Sequence, residues 1–148
     1  MSHPRLIRPI EKHELAAVAE LEHKLFGHHS YPDFFFRQAF DCWSEGFLVC
    51  RSPQGILGYI VLANSEHAGL GWVLSLAVDD SVQGEGIGRA LLQQAMVRLN
   101  YQQIRLTVDP ENAPACHLYQ RLGFFKVGEE QDYFGPGQAR WVMAHHAL

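Results

Sequence analysis

The segment from Val73 to Leu99 leaves this chain few ways to fold. Val73-Leu-Ser-Leu-Ala-Val78 is an apolar run with the length of a buried strand. A loop with glycines at positions 84, 86 and 88 follows. Ile87, Leu91, Leu92, Ala95, Met96 and Leu99 then recur at helical spacing and predict an amphipathic helix. Glycine lets a backbone turn its N–H groups toward a bulky anion with no side chain in the way. The first turn of the helix adds unpaired N–H donors and the positive end of a dipole. Strand, loop and helix together predict a phosphate cradle.

The spacing narrows which phosphate. No Gly-Lys-Ser/Thr closes the loop, so it is not a Walker loop. Gly84-x-Gly86-x-Gly88 also lacks the interval of the dinucleotide fingerprint. The formal charge of −4 argues against a nucleic-acid partner, whose binding surface should be basic. An anion site here must rely on backbone amides, helped by Arg89. Cys42, Cys50 and Cys116 are scattered and odd in number, which predicts neither a disulfide framework nor a metal site. The histidine pairs at 28–29 and 145–146 lack a ligand set and are expected to be solvated loop and tail residues. With 148 residues, no apolar run of membrane length and no signal-like apolar region, a single cytoplasmic domain spanning 1–148 is expected, with no membrane partner.

The remaining chain supplies the other elements. Arg5–Ile10 reads as a strand and Glu11–Phe26 as a helix with Leu15, Val18, Leu21 and Leu25 inward. After a break at 27–32, a second helix carries Phe35, Phe36, Ala39, Phe40 and Trp43. Phe47–Arg51 and Ile56–Leu62 form a hairpin across Ser52-Pro-Gln-Gly55. Ile104–Val108 is a strand, Asn112–Leu122 a helix stopped by Gly123, and 124–127 and 139–144 a closing strand pair. The order is β-α-α-β-β-β-α-β-α-β-β, an α/β chain with a mixed sheet.

Two motifs give this order a family likeness. Gln83-x-x-Gly86-x-Gly88 resembles the acyl-coenzyme A pyrophosphate loop, Q/R-x-x-G-x-G/A, of the GNAT superfamily of N-acetyltransferases. Asn112, Leu118, Tyr119, Gly123 and Phe124 resemble that family's second motif. The likeness implies the GNAT acyl-CoA N-acyltransferase fold, acetyl-coenzyme A as co-substrate and an amine as acceptor, attacked directly through a tetrahedral intermediate. It implies that Leu76, Ala77 and Val78 pair with the pantetheine arm and that the Val78 N–H polarises the thioester carbonyl. Gln83, Gly84, Glu85, Gly86, Ile87, Gly88 and Arg89 would hold the pyrophosphate, Asn112 would contact pantetheine, and Tyr119 would protonate the departing thiolate. A core role for Tyr119 and a capping role for Asn112 are the plainer alternatives.

The aromatic Tyr31-Pro32 segment, the Leu118–Phe124 run and the ending from Tyr133 to Met143 look like the ribosomal-protein alanine N-acetyltransferase branch. That branch has a glutamate base on the fifth strand, in Leu-Glu-Val. Here the strand reads Leu106-Thr107-Val108, and threonine is no base near neutral pH. Glu111, Asp109, Glu66 and His67 are candidate replacements. Tyr133 is a candidate acceptor contact, and Cys116 a candidate for a covalent route that free buried cysteines seldom serve. A protein or peptide N-terminal α-amine is the favoured acceptor. A small-molecule amine or amino acid, or acyl-coenzyme A binding without catalysis, are the other readings.

Overall fold

The computed structural model describes residues 5–146. Seven strands and four helices follow the expected order: β1 (Leu6–Pro9), α1 (Leu15–Phe26), α2 (Asp33–Trp43), β2 (Phe47–Ser52), β3 (Gly55–Asn64), β4 (Leu70–Val78), α3 (Ile87–Leu99), β5 (Gln103–Val108), α4 (Ala113–Arg121), β6 (Phe125–Glu130) and β7 (Arg140–His146). The strands form one mixed sheet in the order β1-β2-β3-β4-β5-β7-β6. Chain contacts divide it into two compact units, residues 5–63 with Val73–Asn100, and Asn64–Trp72 with 101–146.

In the first unit, β1, β2 and β3 pair antiparallel, with Leu6 opposite Arg51 and Phe47 opposite Val61. The apolar stripe of α1 and the aromatic face of α2 close over them. Phe36, Phe47 and Tyr59 are fully buried, Phe36 standing edge-on to Tyr59 with centroids 5.7 Å apart. In α3, Ile87, Leu91, Leu92 and Ala95 are buried as their spacing predicts. A Cβ on Gly58 would stand 2.9 Å from the Ala77 carbonyl oxygen and 3.3 Å from Ile87 Cγ2. The missing side chain thus lets β3, β4 and α3 come together.

The expected helix from Glu11 does not run unbroken. Lys12–Glu14 is a tight 3-10 turn, and α1 begins at Leu15. The cause is Glu14, whose buried carboxyl is turned inward to Arg8 at 2.7 Å and Arg51 at 2.7 Å, and which also accepts the Glu11 N–H. A buried carboxylate must find partners, and these lie on β1 and β2.

In the second unit, β7 lies antiparallel between β5 and β6, with Thr107 opposite Val142 and a bulge in β6 between Lys126 and Gly128. The start of β4, Leu70–Trp72, pairs in parallel with Gln103–Arg105, so this strand begins earlier than its apolar run suggested. Gly71 lies under the Tyr101 ring, where a Cβ would be 2.6 Å from the nearest ring carbon. Gly123, at φ +99°, ends α4 as expected. His145 departs from the reading of a solvated tail. It belongs to β7, its ring is edge-on to Phe124 at 5.3 Å, and its Nδ1 is buried.

Arg8 first, then the Glu11 N–H and Arg51, hold the Glu14 carboxyl at about 2, against burial, which pushes it upward. A depressed carboxyl contributes stability above its ordinary value of 4.5 and loses it as pH falls toward 2. Glu14→Gln is expected to cost on the order of 3 kcal/mol at neutral pH. Urea unfolding of both proteins should show that gap narrowing as pH drops from about 5 to about 3.

Candidate functional site

The chain leaves β4 at Val78 through a short 3-10 turn, Asp80–Val82. Asp79 caps it: one carboxyl oxygen accepts the Ser81 N–H at 2.9 Å and its hydroxyl at 2.8 Å, while the other takes Lys24 Nζ of α1 at 3.0 Å. The Ser81 bonds, then Lys24, hold this carboxyl at about 2. The Gln83 side-chain amide donates back to the Val78 carbonyl at 3.1 Å. Glu85 is paired with Arg5. Gly84 and Gly86 both have φ in the left-handed region, +85° and +84°, and Gly86 is the N-cap of α3 without a side chain to satisfy its first turn. A Cβ at either position would meet nothing within 4 Å, so conformation, not crowding, demands glycine there. Gly88 is different, with ordinary φ and only Val78 Cγ2 at 3.7 Å from a Cβ. The structure therefore places Leu76, Ala77 and Val78 at the end of β4, Gln83 to Gly86 in the loop, and Ile87, Gly88 and Arg89 in the first turn of α3, with Ile87 buried and Arg89 exposed.

Asn112 and Tyr119 belong to the second unit. Asn112 is the N-cap of α4, its Oδ1 accepting the Ala115 N–H at 3.2 Å. Tyr119 is half-buried and edge-on to Phe124 at 5.9 Å. Burial first, then the neighbouring Cys116, pushes its hydroxyl up to about 12, so it holds its proton at neutral pH. Burial also raises the Cys116 thiol, 3.6 Å from the Asp109 carbonyl, and a protonated thiol is a poor nucleophile. Thr107 is half-buried, Glu66, His67 and Glu111 are exposed, and Asp109 accepts the Glu111 N–H at 2.9 Å. Tyr133 is exposed, with its ring edge-on to Phe134. Among the described residues, no cluster of three His, Cys, Asp or Glu could hold a metal, and no helix is long and apolar enough to cross a membrane.

Residues 15–124 match the acetyltransferase (GNAT) family. The chain belongs to it. An N-alpha-acetyltransferase of Sulfurisphaera tokodaii is 30% identical over 129 residues, 78% of this chain and 77% of the relative. A spermidine N(1)-acetyltransferase of Escherichia coli is 25% identical over 158 residues, 94% and 83%. Among solved structures, Ard1 from Thermoplasma volcanium superposes with a TM-score of 0.86 at 21% identity, over 97% of this chain and 98% of that one, a likeness of fold. The GNAT protein is thus an acetyltransferase that uses acetyl-coenzyme A. Its strand-end loop fits that molecule's diphosphate: two left-handed glycines with open space above them adjoin a helix start that no side chain caps. When bound, the coenzyme supplies the activated acetyl thioester.

One group at the strand was missed in the sequence. Glu22 of α1 is buried, and its carboxyl accepts from the Tyr59 hydroxyl, from Ser75 Oγ at 3.2 Å and from the Tyr31 N–H at 2.7 Å. The Ser75 and Tyr59 hydroxyl oxygens are 2.9 Å apart, and the Tyr31 hydroxyl donates to the Leu74 carbonyl at 3.0 Å. Burial, then the Glu22 charge, drives the Tyr59 hydroxyl far above its usual range. The signal was available: Glu22 is four residues from Val18 and three from Leu25, an acid on the apolar stripe.

The loop geometry separates its glycines experimentally. Gly86→Ala should lose about 1–2 kcal/mol of unfolding free energy through its left-handed φ. Gly88→Ala should gain about 0.5 kcal/mol, since it relieves a helical glycine without a clash. Thermal unfolding of both variants reads the opposite signs.

Proposed function

We propose that the enzyme acetylates the α-amine of a peptide or protein N-terminus, as a single catalytic domain over 1–148. Thr107 carries this reading. With no carboxylate on β5, the acceptor must reach its neutral form at low cost. An α-amino group near 7.8 costs roughly 1 kcal/mol to deprotonate at pH 7, whereas a lysine near 10.4 costs roughly 4–5. The likeness to an N-alpha-acetyltransferase supports the same acceptor class.

In this reading the residues take distinct roles. Backbone groups of Leu76, Ala77 and Val78 align the pantetheine arm, and the Val78 N–H stabilises negative charge developing on the acetyl oxygen. Amides from Gln83 to Arg89 hold the diphosphate, and Asn112 contacts the arm while capping α4. Tyr119 gives its proton to the departing sulfur. A phenol held at about 12 keeps its proton at neutral pH, so Tyr119 is in its donor form when the sulfur departs.

Thiol release from acetyl-coenzyme A tests the acceptor. A peptide with a free N-terminus should exceed the N-blocked, lysine-containing peptide and spermidine by at least about tenfold in kcat/KM at pH 7. Preference for lysine or spermidine overturns the reading. Tyr119→Phe should lower kcat about 100-fold while calorimetry shows acetyl-coenzyme A affinity unchanged; unaltered kcat removes Tyr119 from the chemistry.

A further inference from the structure

We infer that Glu22 is a positioning residue for acetyl transfer, locking the 27–32 turn to β4 immediately before the residues assigned to the thioester and so fixing how the incoming amine attacks. The inference rests on the reading of the β4 end as the place of reaction. Four elements meet at this one side chain. Glu22 comes from α1, the Tyr31 N–H from the turn before α2, Tyr59 from β3 and Ser75 from β4. Its two oxygens divide the work: Oε2 holds the turn, and Oε1 holds the strands.

The same turn makes a second attachment. The Tyr31 hydroxyl occupies the Leu74 carbonyl, two residues before Leu76, and its ring is stacked on Phe35 with centroids 4.0 Å apart. Parallel pairing of β4 with β5 covers Leu70–Trp72, so the Tyr31 side chain serves the strand beyond the last residue paired with β5. Ser75 and Leu74 are therefore fixed from the side of α1 and the turn, immediately before the residues assigned to the thioester. The coenzyme loop has its own anchors, Asp79 with Ser81 and Lys24, and Gln83 with Val78. Two separate fastenings on one strand predict that breaking the first alters how the amine is received and leaves the diphosphate grip intact.

Glutamine is the discriminating replacement. It keeps the size of Glu22, but its carboxamide offers one acceptor oxygen and turns donors toward groups that already donate, so the three bonds cannot all survive. Glu22→Gln should raise acceptor KM about tenfold, with the acetyl-coenzyme A Kd within about twofold of wild type. Tyr31→Phe, which removes the Leu74 bond alone, should raise acceptor KM about threefold. If Glu22 acts through the turn, the double variant should be no worse than Glu22→Gln, since the two side chains form one network. Unchanged acceptor KM in Glu22→Gln, a parallel loss of coenzyme affinity, or simple multiplication of the two effects overturns the inference. Should Glu22→Gln not fold, Tyr31→Phe decides alone: an acceptor KM equal to wild type overturns it. These constants are measured on whichever amine the wild type turns over best, so a wrong acceptor class appears in the wild type and a wrong role for Glu22 only in the variants.

Discussion

A carboxyl group placed on the apolar face of a helix is the constraint around which the first unit is arranged. Removing such a group from water is unfavourable unless its lone pairs are met, and unmet groups in a dry interior cost far more than the bonds they could make. Glu22 meets Tyr59, Ser75 and the Tyr31 amide, so α1, the following turn, β3 and β4 are obliged to occupy fixed relative positions. Apolar packing of Phe36, Phe47 and Tyr59 supplies cohesion, but it would tolerate small slips. Directional bonds to one carboxyl do not.

Glu14 solves the same physical problem in another way. Its carboxyl is equally buried, yet its partners are the guanidinium groups of Arg8 and Arg51, both cations, and these bind β1 and β2 to the entry of α1. One acid is satisfied by charge and the other by neutral donors. The first secures the start of the chain, whereas the second lies against the strand that leads to the glycine loop.

Much of this architecture was readable beforehand, because period and punctuation are local. The apolar stripes of α1 and α3, the glycine turn at 84–88, Asn112 as a cap and Gly123 as a stop all state their structural role in a few neighbouring residues. What escaped depended on residues far apart in the chain. The 3-10 turn before α1 depends in part on Arg51, the early start of β4 on pairing with β5, and the half-buried position of His145 on Phe124 and Gly123. Glu22 was visible as an acid among apolar neighbours, but its partners at 31, 59 and 75 follow no spacing rule. The threonine at 107 was legible as a departure from the related branch. Its chemical consequence comes from amine acidity, outside any contact.

The bulge in β6 bears on how the protein behaves in a crowded solution. β6 ends the sheet order and exposes Phe125 and Val127, each at 45%, a pattern that invites strand-to-strand pairing between molecules. Val127 lies at the register break, Lys126 is paired with Glu129, and Phe125 is stacked on His146. An interrupted ladder flanked by charge is a poor template for a foreign strand, so this margin favours colloidal stability over runaway fibre growth.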